Sequence, residues 1–159
     1  NKLLTKKLLK MGRVFFNTRL NISKIGGADY TPVASDSSKI FMIKPTAART
    51  ITMPALGTVA QEGWNCTFIV DDAGTGVDQG IDYKVNIDMG SGTNLANVGW
   101  VSEIDGAAGD HCVADDDFIN ISANASPGDK IFMWTDGDRW YVEAWVKDAT
   151  EVAFGQAAA

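Results

Sequence analysis

From Tyr30 onward the sequence alternates between short apolar runs and turn-forming residues, and this alternation restricts the fold more than any other feature. The runs are rich in β-branched and aromatic residues, and they recur roughly every 10–15 residues without a helical period. Proline, glycine and aspartate between the runs supply the fixed and positive φ values that turns need. The predicted strands are residues 39–44, 49–53, 64–70, 82–87, 97–104, 117–122, 129–135 and 139–147. The pattern predicts an all-β fold, an antiparallel β-sandwich or barrel of the jelly-roll type.

The last two predicted strands form a hairpin that carries three of the chain's five tryptophans. Asp136-Gly137-Asp138 allows a tight reversal, with the glycine available for a positive φ. One face of the second strand carries Trp140, Val142, Ala144 and Val146. Aromatic residues also occupy the opposite faces, and several of them exposed together would need a cover. Trp134, Tyr141 and Trp145 are therefore predicted to form either a trimer interface or a ligand platform.

The charges are distributed unevenly along the chain. Residues 1–24 carry seven basic side chains and no acid, whereas residues 25–159 have a net charge of −13. Such a basic segment on an acidic body is typical of an arm that reaches a partner. Residues 1–27 are predicted to be this arm, extended and partly helical, and residues 28–159 to be the β-sandwich domain. The contact candidates in the arm are Leu4, Leu8, Phe15, Phe16 and Arg19.

Several functional classes find little support in the sequence. The acidic body opposes binding of nucleic acid, and no apolar run approaches the roughly 18 residues of a membrane helix. The chain has one histidine, His111, and it lacks a Gly-x-Ser-x-Gly nucleophile motif. His111-Cys112 with the acids that follow lacks the Cys/His pairs of a zinc site, and the aspartates of residues 71–82 lack the spacing of an EF-hand. We expect no enzyme activity, no cofactor and no metal, and we expect Cys66 and Cys112 to be free thiols.

Two blocks of the sequence resemble one protein family in order and spacing. The first contains Lys39-Ile40-Phe41, Ile51-Thr52-Met53-Pro54-Ala55, Gly63 and Phe68-Ile69-Val70. The second contains Asp117-Phe118-Ile119-Asn120-Ile121, Gly128-Asp129-Lys130-Ile131, Asp136-Gly137 and Trp140-Tyr141-Val142. Together they are similar to the small capsid decoration proteins of bacteriophage heads, over about residues 35–155.

This resemblance implies a structural virion protein on the outer surface of a phage capsid. Proteins of this family are β-structured, commonly homotrimeric, and cement neighbouring major capsid proteins. The expected partners are thus the major capsid protein and further copies of the chain, with no nucleic acid and no membrane. Residues 1–27 have no counterpart in the family pattern, so the arm candidates are predicted to contact capsid or sister subunit on physical grounds alone. The alternative is a head-fibre or tail-fibre module that binds host glycans through Tyr141, Trp145 and their neighbours.

Overall fold

The computed structural model describes residues 20–71, 81–90, 97–113 and 116–155, and these ranges form an all-β structure. The strands are β1 (Ile22–Ile25), β2 (Lys39–Ile43), β3 (Arg49–Thr52), β4 (Asn65–Val70), β5 (Val85–Asp88), β6 (Val98–Glu103), β7 (Gly109–His111), β8 (Phe118–Ile121), β9 (Lys130–Thr135), β10 (Trp140–Val146) and β11 (Val152–Gly155). A single 3-10 turn at Ala34–Asp36 is the helical element within them. All eight predicted strands are confirmed, and β1, β7 and β11 were not predicted.

The strands form two open sheets, and both sheets are mixed. The larger has the order β1-β2-β4-β9-β10-β6-β7 and the smaller the order β11-β8-β5-β3. The prediction of an antiparallel arrangement was wrong, because β1–β2, β2–β4, β3–β5 and β6–β10 are parallel pairs. For β2–β4 and β3–β5 the physical reason is that a strand of the other sheet lies between the two partners along the chain. Each sheet has two edge strands, so the described residues do not close into a barrel.

The two sheets share one hydrophobic core. In β4 and β10 every second side chain is buried, as the period of two requires. Phe41 stacks on Phe68 with ring centroids 5.3 Å apart, and Trp64 meets Trp140 edge to face at 5.6 Å. The smaller sheet contributes Ile51, Val85, Ile87, Ile119, Ile121, Val152 and Phe154 to the same cluster. Because burial of each such side chain contributes about 1.5–3 kcal/mol, the core holds the sheets together in an arrangement consistent with a β-sandwich.

The described part of the predicted arm, residues 20–27, belongs to the larger sheet. Strand β1 pairs in parallel with β2 at the sheet edge. Gly26 has a φ of +127°, and a Cβ at this position would overlap the carbonyl of Lys44. The Arg49 side chain donates hydrogen bonds to the carbonyls of Gly26 and Gly27 at 3.2 and 2.8 Å. The predicted helix and all five arm candidates (Leu4, Leu8, Phe15, Phe16 and Arg19) lie outside the described residues, and the predicted boundary at residue 27 stays a prediction.

A buried carboxyl group joins three segments at one end of the structure. Asp129 is 3% exposed, and it accepts hydrogen bonds from the backbone N–H groups of Ser126 (3.0 Å) and Lys147 (2.8 Å). The Glu151 carboxylate also accepts from the Ser126 N–H, at 3.1 Å. Burial raises the pKa of Asp129 to about 6; the two N–H donors oppose this rise, and the charge of Glu151 adds to it. The approach to β9 is thereby fixed to the end of β10 and the start of β11.

Because the pKa of Asp129 is raised, its contribution to the free energy of unfolding falls as the pH rises. The pKa of Asp129 is 3.8 in the unfolded chain, so the folded protein keeps this proton to a higher pH than the unfolded chain does. The contribution is thus complete below that value and is lost as the pH rises through about 6. We expect the stability of the wild type relative to Asp129→Asn to fall by on the order of 2 kcal/mol from pH 4 to pH 7, measured by urea unfolding. Asp82→Asn, at an exposed position, is the control, and an identical pH profile for both variants would contradict the assignment.

Candidate functional site

The two sheets differ in the side chains on their outer faces. The smaller sheet presents mainly polar groups, among them Thr50, Thr52, Asn86, Asp88 and Asn120. The larger sheet presents an aromatic face, which we define by Trp100, Phe132, Trp134, Tyr141, Glu143 and Trp145 of β6, β9 and β10. Trp100 is 39% exposed and Trp145 is 36% exposed. The aromatic face is therefore an exposed, largely apolar surface of the larger sheet that a partner could cover.

The strand register fixes the arrangement of this face. Tyr141 lies opposite Trp134 of β9, two residues before Glu143 on β10. Glu143 lies opposite Phe132 on one side and opposite Trp100 of β6 on the other. The side chains of Tyr141, Glu143 and Trp145 face outward because their neighbours along β10 are buried in the core. Strands β9 and β6 add further outward side chains on either side of β10. A carboxylate thus occupies the middle of an otherwise aromatic surface.

Trp134 and Tyr141 form a stacked pair. Their ring centroids are 4.0 Å apart and their planes differ by 7°. The Tyr141 hydroxyl donates a hydrogen bond of 2.8 Å to Asp136 Oδ2, and this bond raises the pKa of Tyr141. Asp136 Oδ1 in turn accepts from the N–H groups of Asp138 and Arg139, both at 3.0 Å. The hairpin turn therefore holds the tyrosine in place, and each ring of the pair has one face covered by the other.

Trp145 makes two contacts of a different kind. Its ring meets Trp100 edge to face, with centroids 5.0 Å apart and planes at 86°. Lys130 Nζ lies 5.0 Å from the centroid of the Trp145 ring, within the range of a cation–π interaction. The face thus already attracts one positive charge.

A small cleft opens on this face between β6 and β10. Its volume is about 100 Å³, and its lining residues are Val98, Gly99, Trp100, Trp134, Tyr141, Val142 and Glu143. A Cβ at Gly99 would lie 2.8 Å from both Val142 Cβ and Phe154 Cζ, so only glycine fits beneath this part of the face. The cleft has aromatic walls and one carboxylate.

The two cysteines and a second depression lie outside the six residues that define the aromatic face. Cys66 and Cys112 are free thiols, as expected. Burial, together with Asp116 and Asp110, raises the pKa of Cys112 to about 11, which keeps this thiol protonated at neutral pH. Within the described ranges no group of three or more His, Cys, Asp or Glu side chains could hold a metal ion. A broader depression of about 340 Å³ is lined by Ala34, Ser37, Thr58, Val59, Gln61, Glu62, Gly63 and Trp64.

The structure brings the three predicted hairpin residues onto one surface. Trp134, Tyr141 and Trp145 all lie on the aromatic face, and their role as trimer interface or ligand platform stays a prediction. Sequence reasoning missed Trp100, because β6 reaches β10 through a parallel pairing between distant parts of the chain. Glu143 follows Tyr141 by two residues and so shares its face, but its position between Phe132 and Trp100 depends on strand pairings that the sequence does not show. The alternation of the hairpin strands was the signal that located the rest.

Known proteins give no direct guide to the function. No model of a protein family, no curated protein and no solved structure matches the chain. The described residues contain no helix that is long and apolar enough to cross a membrane. The function is therefore argued from the aromatic face and from the resemblance in the sequence.

The stacked pair can be tested by a double-mutant cycle. We expect Trp134→Ala and Tyr141→Ala to show a coupling energy of about 0.5–1.5 kcal/mol in urea unfolding, because their rings contact each other. Trp134→Ala combined with Trp145→Ala is the matched control. Trp134 lies opposite Tyr141, and Tyr141 is four residues, about 13 Å, from Trp145 on the same strand. Trp134 and Trp145 are therefore far apart, and the effects of the control pair should be additive. Equal coupling in both cycles would show that the stack has no energetic role of its own.

Proposed function

We propose that this protein is a structural component of a phage virion that binds the outer surface of the capsid and cements neighbouring capsomers. The aromatic face is the observation that supports the proposal, because it is an exposed apolar surface on a seven-stranded sheet. The resemblance of residues 35–155 to capsid decoration proteins supplies the identity of the partner. The proposal includes the extended, partly helical arm that the sequence of residues 1–27 predicts.

The mechanism is adhesion without chemical reaction. A stable protein interface buries about 800 Å² on each partner, and aromatic side chains at its centre contribute much of the binding energy. Trp100 and Trp145 are more than a third exposed in the free chain, so their burial would contribute about 1.5–3 kcal/mol each. The core that fixes both sheets limits the conformational entropy lost on binding. In this proposal the partners are the major capsid protein and further copies of the chain, which form a homotrimer on the virion surface.

The alternative function, glycan binding by a fibre module, agrees less well with the ring geometry. A sugar ring stacks on a free aromatic face. Trp134 and Tyr141 cover one face of each other, and Lys130 lies over the ring of Trp145. These contacts reduce the ring area open to a sugar, whereas packing against a protein uses ring edges as well as ring faces. The arrangement therefore favours a protein partner.

Binding of the purified protein to phage heads that lack it tests the proposal directly. We expect a saturable complex in co-sedimentation, at a stoichiometry of three chains per site. Trp145→Ala should weaken it about 30-fold, the effect of losing about 2 kcal/mol at a central aromatic contact. Thr52→Ala, on the exposed outer face of the smaller sheet, should bind as the wild type does. Binding to host cell-wall glycans without binding to heads would instead establish the fibre function.

The arm candidates are tested in the same assay with the full-length chain. Substitution is preferable to deletion of residues 1–27, since deletion would also remove β1 from the larger sheet. We expect a variant with Leu4, Leu8, Phe15 and Phe16 all changed to Ser to bind heads at least tenfold more weakly. The reason is that apolar contacts contribute binding free energy that surface ion pairs alone do not supply. Arg19→Gln should have a smaller effect. Wild-type affinity in the fourfold variant would contradict a role for the arm in adhesion.

A further inference from the structure

We propose that the cleft on the aromatic face is a binding site for a cationic side chain, the guanidinium of an arginine or the ammonium of a lysine. The cleft combines a carboxylate, aromatic walls and a volume that suits a side-chain head group. This inference concerns the chemistry of one site and does not depend on the partner being a capsid.

The carboxylate of Glu143 is the first element of the site. Its strand neighbours on the outer face are Phe132 and Trp100, and it is only partly exposed. Among the described residues its carboxylate has neither a hydrogen-bond donor nor an ion-pair partner. The nearby lysine, Lys130, lies over the Trp145 ring instead. A carboxylate without a countercharge, placed beside aromatic rings, attracts a cation that approaches it.

The aromatic walls are the second element. Trp100, Trp134 and Tyr141 line the cleft, and their π systems attract positive charge. The contact of Lys130 with Trp145 shows the same attraction a short distance away on the same face. The hydroxyl of Tyr141 is already engaged by Asp136, so the tyrosine offers its ring to a ligand rather than its oxygen. Aromatic rings around one carboxylate select for a cation that also has flat or apolar surface.

The size of the cleft defines the ligand further. Its volume is about 100 Å³, and it is open to solvent on one side. This is room for a guanidinium or an ammonium with its nearest methylenes. Protein side chains of this class have two sources. One is the segment of residues 1–19, which carries six basic residues and no acid, and the other is a separate partner.

Titration of the full-length protein with N-acetyl-arginine amide, followed by the indole N–H signals of the tryptophans in NMR spectra, tests the site. We expect saturable shifts of the Trp100 and Trp134 signals at millimolar concentration. The neutral isostere N-acetyl-citrulline amide should leave them unchanged. Glu143→Gln should weaken the binding of the arginine amide at least tenfold, whereas Glu62→Gln, which changes an exposed glutamate outside the cleft, should not.

A second full-length variant distinguishes the two sources. It has all six basic residues of the segment changed to Gln, namely Lys2, Lys6, Lys7, Lys10, Arg13 and Arg19. If the segment fills the cleft, this variant should bind the arginine amide more tightly than the wild type does; if a separate partner fills it, the two should bind equally. Either result supports the site. The proposal is overturned if neither protein shows saturable shifts, if the citrulline amide binds equally well, or if Glu143→Gln has no effect.

Discussion

The burial of alternate side chains in one core shared by two sheets determines the rest of this structure. Because Trp140, Val142 and Ala144 are buried, Tyr141, Glu143 and Trp145 must face outward. A slip of β10 by one residue would exchange these sets and bring the Glu143 carboxylate into the core, at a large cost in free energy. The core therefore stabilises the fold and, through the same alternation, fixes the composition of the aromatic face. Neither feature can change without the other.

The sequence predicted the positions of the strands better than it predicted which strands pair with each other and in which direction. Strands such as β4 and β10 combine a period of two with flanking turn residues, and both signals are local. Strand β7 reads Gly-Asp-His and has no apolar pattern to recognise. Strands β1 and β11 are no shorter than β3, β5 and β8, which were predicted, so length alone does not explain why they were missed. The parallel pairs β2–β4 and β3–β5 arise where the chain changes sheets, and local patterns contain no information on such crossings. An antiparallel sheet was expected for this reason, and mixed sheets were found.

The same distinction separates the predicted from the unpredicted part of the candidate site. Trp134 and Tyr141 are joined by a hairpin whose turn is visible in Asp136-Gly137-Asp138, so their placement on one surface followed from local register. Trp100 comes from about forty residues earlier in the chain, and only the pairing of β6 with β10 brings it to Glu143 and Trp145. The cleft lies at this long-range pairing. A sequence can thus indicate which strand carries an exposed aromatic surface without indicating which cleft that surface contains.

Affinity and selectivity have different origins on this surface. Apolar area gives binding energy to any partner with a complementary shape, so the tryptophans alone would discriminate poorly. A carboxylate among them penalises every partner that would bury it without a countercharge. The net charge of −13 on residues 25–159 acts in the same direction at longer range, since it repels acidic surfaces before contact. If the proposed cation site is correct, this surface selects partners that present a basic side chain within an apolar patch, and Glu143 is the residue that supplies the selectivity.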